Sequence, residues 1–497
     1  MSSVDNRSSY RSIFKSTSLF GGVQVFQILV GVIRSKVIAV LLGPSGVGIL
    51  GLYQSAIVLV QSLTSMGLAT SAVRDVSEAN SIGDIHGISK IVKVLMRLIW
   101  ITGIIGLLSV IVFSPILSRT TFGNDDYVIP FIFLSVILLF DQLCAGQKVV
   151  LQGMRRLKDL AKASTYGAVV GLFFSIPLYY LLGVEGIVPT LILNSLIAMI
   201  FSWYYSKKIK LENIELGLKE TIKGGGTMLK MGFAMSLSAI MVYASSYFLR
   251  GFIREGGGTE AVGIFTAGFT LLGSYVGMVF SAMTTDYYPR LASVCKDEKK
   301  TREIVNEQGE IASLILGPLL MGCLVFMILM IKILYSNSFI QASDYLFWAI
   351  IGMMFKLGSW IVAFQVVARG DMKIFITNEI IANLYSFLMS IIGYKIYGLQ
   401  GLGIAFSLGY FLYEIQIYLV TRYFYKFEFT SSFIRVYLIE MAFVIICMIM
   451  IKVTVFSFVT YALGIPMIIV SSMWSISELN KRLSFMSAIK SKFRNKQ

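Results

Sequence analysis

VGVIRSKVIAVLLGPSGVGIL, residues 30–50, sets two cations, Arg34 and Lys36, inside an apolar run long enough to cross a membrane. The run breaks at Gly43-Pro44-Ser45-Gly46 and a second apolar run follows. A charge within hydrocarbon is costly, so an arginine there marks a functional site by default. A weaker copy, YFLRGFIREGGGTEAVGIF, runs from Tyr247 to Phe265.

Composition agrees with a membrane setting. The chain is 56% hydrophobic and 14% charged, with a mean hydropathy of +0.77. Apolar runs of about 20 residues, the length that crosses the hydrocarbon core as a helix, recur from end to end. Helices satisfy their own backbone hydrogen bonds, which lipid demands. Four scattered cysteines and a single histidine, His86, leave no disulfide framework, no metal site and no histidine-based catalysis. The first apolar run is too long for a cleaved signal and reads as an uncleaved first helix.

The spans are expected at 18–42, 47–71, 93–115, 128–150, 163–182, 186–206, 229–250, 262–284, 311–334, 345–367, 374–395, 399–421, 434–453 and 455–474. With a cytoplasmic N-terminus, 34 of the 43 Lys and Arg residues fall on the inner side, 6 outside, and Arg34, Lys36 and Lys356 within spans. That bias puts both termini in the cytoplasm. Basic inner loops facing an anionic leaflet account for much of the +16 net charge without nucleic acid.

Landmarks recur near one offset. Val47-Gly48-Ile49 matches Val262-Gly263-Ile264, Phe140-Asp141 matches Phe355-Lys356, and Gly183-x-x-Gly186 matches Gly398-x-x-Gly401, each 215 residues on. Lys207 matches Arg422 at the same offset, Arg34 matches Arg250 at 216, and Gly153 matches Gly370 at 217. The expected fold is an all-α polytopic membrane protein: two six-helix bundles in a parallel pseudo-twofold repeat plus two C-terminal helices, about 14 transmembrane helices in all. The bundles are assigned to 1–215 and 216–427, and the added helices with a basic tail to 428–497.

Arg34 lies about 24 Å along the first helix, 16 residues from Ser18 at 1.5 Å each. Arg34, Lys36, Arg250 and Arg254 are candidate cations of a central cavity. Guanidinium groups grip phosphate oxygens bidentately, so a phosphate-bearing substrate suits them. The alternative is that Lys36, Arg250 and Arg254 reach out to headgroups. Asp141 and Lys356, opposite charges at equivalent mid-membrane positions, form either a gating or coupling pair or two separately capped charges. Gln24, Gln27, Gln54 and Gln61 suit a hydrated cavity for sugars and serve equally as interhelical contacts. Glu379, Glu414 and Glu440 are candidate proton relays, but the expectation is that they face water or headgroups. No P-loop is present, and Gly256-Gly257-Gly258 lacks the following Lys-Ser/Thr, so no enzyme and no cofactor is expected.

GGVQVFQILVGVIRSKVIAVLLGPSGVGILGLYQS, LQGMRRLKDLAKAS (151–164) and TTDYYPRLASV (284–294) resemble Wzx-type flippases, which move undecaprenyl-diphosphate-linked O-antigen and other polysaccharide repeat units across the bacterial inner membrane. They belong to the MOP superfamily, with lipid II flippases and MATE exporters. The lipid II pattern G-x-x-R-D-x-x-x-A-x-x-x-G falls on Gly31, Arg34, Ala39 and Gly43, with Ser35 at the Asp position. The resemblance implies alternating access, a multi-pass protein of the inner (cytoplasmic) membrane, diphosphate binding at Arg34 and at Arg250, and a role in lipopolysaccharide or other polysaccharide biosynthesis. H+ or Na+ coupling and a polymerase or chain-length-regulator partner go with it. The rivals are a MATE-like exporter, disfavoured by cations in the cavity, and an integral-membrane polymerase or ligase, disfavoured by short outer loops.

Overall fold

The computed structural model describes residues 3–212, 214–455 and 457–483, with side chains from Phe26 onward except at 218–220, 222–224, 227, 231, 234, 235, 275, 285 and 483. Every regular element among them is helical: α1 (Ser3–Thr64), α2 (Leu68–Ile82), α3 (Ile85–Phe122), α4 (Val128–Gly153), α5 (Leu157–Leu182), α6 (Ile187–Ser206), α7 (Leu218–Thr270), α8 (Gly277–Val294), α9 (Glu298–Val325), α10 (Met327–Leu334), α11 (Ala342–Arg369), α12 (Met372–Tyr425), α13 (Ser431–Thr454) and α14 (Phe458–Leu483). The described residues contain 10 helical stretches long and apolar enough to cross a membrane.

Four of these stretches each cover two expected spans and break at one glycine: Gly43, Gly183, Gly258 or Gly398. The expectation of fourteen counted the two sides of each break separately. All four glycines take positive φ, which costs a residue without Cβ little. The breaks pair at 215 residues, with φ/ψ of 65/−172 at Gly43 and 70/−174 at Gly258, and 57/−130 at Gly183 and 58/−137 at Gly398. Around the second pair the chain folds back. A Cβ on Gly186 would lie 2.5 Å from the Leu178 carbonyl, and one on Gly401 1.8 Å from that of Gly393. These are again equivalent positions.

The repeat also corrects two pairings. The bend after α4 is made by Arg155 (φ 53), and the bend after α11 by Gly370 (φ 76). The Arg156 amide bonds the Leu151 carbonyl at 2.8 Å, and the Asp371 amide bonds that of Val366 at 3.2 Å. Arg155, rather than Gly153, is therefore the counterpart of Gly370. Counted from the breaks at Gly43 and Gly258, Ser35 is the counterpart of Arg250. Arg34 and Arg250 thus differ by one residue, about 100° around a helix.

By packing, the chain divides into Met1–Gly263 and Ile264–Gln497. The expected boundaries at 215 and 427 follow the repeat, whereas the division at 263 follows the contacts of α7. In the first unit, Leu95, Ile99 and Val110 of α3 are buried, while Trp100, Ile104, Leu108, Val112 and Ile116, four residues apart, form an exposed apolar stripe. The exposed stripe suits lipid. Helices in lipid associate by close packing rather than by the hydrophobic effect, which favours small residues at contacts. Gly103 and Gly106 accordingly let α3 close on Leu138 and Leu139 of α4.

The first part of α7 docks on these helices. Ser71 donates to the Met228 carbonyl at 3.1 Å, and the Tyr247 hydroxyl meets those of Thr120 and Thr121 at 2.6 and 2.8 Å. Where α1 and α7 resume after their breaks they touch backbone to backbone. A Cβ on Gly48 would fall 1.8 Å from the Thr259 carbonyl, and one on Gly263 1.8 Å from that of Pro44.

In the second unit, Tyr287 of α8 is buried and donates to the Ile361 carbonyl of α11 at 2.6 Å. The two halves of α12 pair through Tyr413 donating to Glu379 (2.6 Å) and Gln416 to Asn378 (2.8 Å). Helix α14 is tied to α9 and α13. Arg482 bonds Glu310 and Glu478 at 2.5 Å each, and Lys481 bonds Glu478 at 2.7 Å.

Candidate functional site

Arg34 sits on α1, nine residues before the Gly43 break, and is half-buried. Helix α1 packs on α5, and there the guanidinium faces the Tyr179 hydroxyl, itself beside Thr190 of α6. Tyr179 and Thr190 are each 1% exposed, and neither hydroxyl completes a well-formed hydrogen bond. Among the described residues Arg34 makes no ion pair. The Tyr179 and Thr190 hydroxyls are neutral, so among the described residues no ion pair cancels the Arg34 charge. Sequence reading missed Tyr179 and Thr190; the only signal was that they flank the glycine pair Gly183 and Gly186.

The other cations are placed differently. Lys36 is half-buried two residues beyond Arg34. Arg250 turns back on its own helix, donating to the Ser246 carbonyl at 3.2 Å and to the Ser246 hydroxyl. Arg254 donates to the Phe122 carbonyl at 2.6 Å, at the end of α3, and lies 3.4 Å from Glu255. A cation at a helix C-terminus meets the negative end of the dipole. Its side chain is 14% exposed, so it is a tie between α7 and α3 rather than a headgroup contact. Gly123 closes α3 at φ 85, a left-handed position that accounts for glycine there, and leaves room for this guanidinium.

Asp141 accepts a hydrogen bond from Ser195 of α6. Lys356 lies over the rings of Tyr410 and Phe280, with centroids at 5.3 and 5.7 Å, a cation–π arrangement. Each charge has a partner within its own unit. Gln24 lies outside the residues whose side chains are described; Gln27 and Gln61 are half-buried and Gln54 is exposed. The hydroxyls of Ser62 and Thr64 bond carbonyls of their own helix, at Leu59 and Val60.

The acids depart from expectation. Glu440 is fully buried and accepts from Ser475 (2.6 Å) and Ser471 (3.3 Å) of α14. Glu414 accepts from Tyr437 at 3.1 Å, and Glu379 from Tyr413. Their positions near helix ends suggested water or headgroups; hydroxyls of neighbouring helices take that place.

A family described as polysaccharide biosynthesis protein matches residues 37–344. The chain belongs to this family. It is 21% identical over 386 residues to the lipid III flippase of Escherichia coli K12, covering 74% of this chain and 88% of that protein. The fold is similar to that of the lipid II flippase MurJ in an inward closed conformation (TM-score 0.66, 15% identity, 94% of this chain and 99% of that one). It is equally similar to an inward-facing multidrug-resistance MATE transporter of the MOP superfamily (TM-score 0.66, 17% identity, 80% and 94%). The protein is a multi-pass membrane protein, and its fold is that of these MOP-superfamily transporters.

Proposed function

We propose that the protein is a flippase for lipid-linked oligosaccharide. It moves undecaprenyl-diphosphate-linked repeat units, of O-antigen or another surface polysaccharide, from the cytoplasmic to the outer leaflet of the inner membrane by alternating access. The observation that carries this reading is Arg34, a guanidinium inside a membrane helix with no acid paired to it among the described residues. A half-buried cation within a membrane helix and without a counter-ion is costly, and a diphosphate would offset that cost. The lipid III and lipid II flippases among its relatives support the substrate class.

The glycan diphosphate binds at Arg34, with Lys36 and Arg250 adding positive potential, while the polyprenyl tail stays in lipid. Asp141 and Lys356 are the coupling charges, and an H+ or Na+ gradient drives the cycle. Both termini are cytoplasmic, in keeping with the 34 to 6 bias of cations across the loops. The bundles are 1–215 and 216–427, with 428–497 an added pair.

The test is flipping of a short undecaprenyl-diphosphate oligosaccharide in proteoliposomes. Wild-type protein is expected to transport, and Arg34→Ala to lose transport at normal insertion. Transport by the variant at the wild-type rate rejects Arg34 as the anion site. Export of a small cation without lipid flipping rejects the function.

A further inference from the structure

We propose that the hydroxyls of Tyr179 and Thr190 position the Arg34 guanidinium, holding it as an un-neutralised cation for substrate phosphate. The inference rests on the reading of Arg34 as the anion site and extends it to two residues about 150 positions away in sequence.

An arginine in lipid has many donors to satisfy. Guanidinium has five N–H donors and no acceptor, so buried N–H groups need oxygen partners. A carboxylate would satisfy them but cancel the charge, and would compete with phosphate for the same fork. A neutral hydroxyl accepts an N–H and leaves the charge in place. Tyr179 is the neighbour that Arg34 meets on α5, and Thr190 backs Tyr179 from α6. Both are 1% exposed, so neither is placed to serve solvent or lipid.

Both hydroxyls also retain hydrogen-bonding capacity, since neither completes a well-formed bond. Buried polar groups are rarely left so. The Tyr179 hydroxyl lies beside the cation and the Thr190 hydroxyl behind Tyr179, which lets the guanidinium shift between Tyr179 and phosphate without abandoning a full bond. The turn at Gly183, with Gly186 packed on the Leu178 carbonyl, brings the two residues together across the α5–α6 hairpin.

The test uses full-length protein, with farnesyl diphosphate as the binding probe and flipping kinetics as the second readout. The variants are Tyr179→Phe, Thr190→Val, Thr190→Ser, Thr190→Asp and Arg34→Ala. Removing the Tyr179 hydroxyl is expected to raise Kd for the probe, and KM for flipping, by about tenfold, one hydrogen bond to a charged group, and removing the Thr190 hydroxyl behind it to raise both by about threefold. The kcat is expected to stay within about twofold. Thr190→Ser restores wild-type binding. Thr190→Asp sets a negative charge behind Tyr179 and is expected to reduce binding toward the level of Arg34→Ala.

Wild-type Kd in Tyr179→Phe and Thr190→Val, with binding lost in Arg34→Ala, overturns the positioning role and leaves the anion site standing. A fall in kcat at constant KM marks the hydroxyls as structural and overturns it too. Probe binding unaffected by Arg34→Ala overturns both the inference and the site it rests on.

Discussion

Ser195 donates to Asp141, and 215 residues on the equivalent pair is Tyr410 beneath Lys356. The charge changes sign and the partner changes from hydroxyl to ring, but both positions are kept. A mid-membrane charge is expensive, so keeping one at both places points to use beyond packing. Asp141→Lys and Lys356→Asp are each expected to abolish flipping, and the double reversal to restore a measurable part of it. A double-mutant cycle in proteoliposomes with purely additive losses rejects coupling between them.

The contact of Gly48 with Gly263 leads to a second prediction. Each faces a backbone carbonyl at a distance no Cβ tolerates. Gly48→Ala and Gly263→Ala are each expected to destabilise the detergent-solubilised protein by about 3 kcal/mol, the upper range of overpacking. A Cβ on Gly31 would meet nothing within 4 Å, so this glycine serves as the control. Gly31→Ala is expected to leave stability unchanged or raise it by up to about 1 kcal/mol, alanine being the better helix former. Thermal melting of the three variants decides the matter.

Glu440 supplies a third. Its carboxyl holds two serines of α14 and lies against Gly317 of α9, where a Cβ would come within 2.1 Å of the carboxyl oxygen. Glu440→Gln keeps the shape and acceptor and is expected to cost at most about 1 kcal/mol. Glu440→Ala leaves a cavity and two stranded hydroxyls, for a loss of about 3 kcal/mol. Equal melting temperatures for the two variants contradict the role given to this network.

Arg155 offers a stabilising change. It sits at φ 53 where the other copy has glycine. A left-handed residue with a Cβ costs roughly 1–2 kcal/mol. Arg155→Gly is expected to raise stability by about 1 kcal/mol once the added freedom of the unfolded chain is deducted. A lower melting temperature in that variant shows instead that the side chain holds the bend.

Much of this architecture is legible in the sequence. The long apolar runs, the glycine breaks and the 215-residue offset are all periodic or compositional signals, and each has a backbone consequence. Gly43 and Gly258 are visible as breaks because glycine favours what other residues avoid. Arg155 is not visible, because nothing in an arginine announces a left-handed bend. The one-residue slip between Arg34 and Arg250 is hidden for a similar reason: a 215 and a 216 offset look alike along a chain but face different directions on a helix. Tyr179, Thr190 and the serines around Glu440 answer charges on other helices, and such partners have no spacing to read. Arg254 reads as a cavity or headgroup contact because the carbonyl it bonds, that of Phe122, is 132 residues away in sequence.

The ties of α14 bear on how the chain is made. Glu310 on α9 waits for Arg482, 172 residues later, to leave the ribosome. At roughly 5–20 residues per second that is an interval of roughly 10–30 s. Glu440 likewise precedes its two serines. During biogenesis these acids enter the bilayer before anything meets them, so they must stay near water, bear a proton or borrow a partner from the insertion machinery. Ribosome stalling or truncation between residues 441 and 457 therefore strands two carboxylates at once, and a chain cut there is expected to become a substrate for membrane quality control.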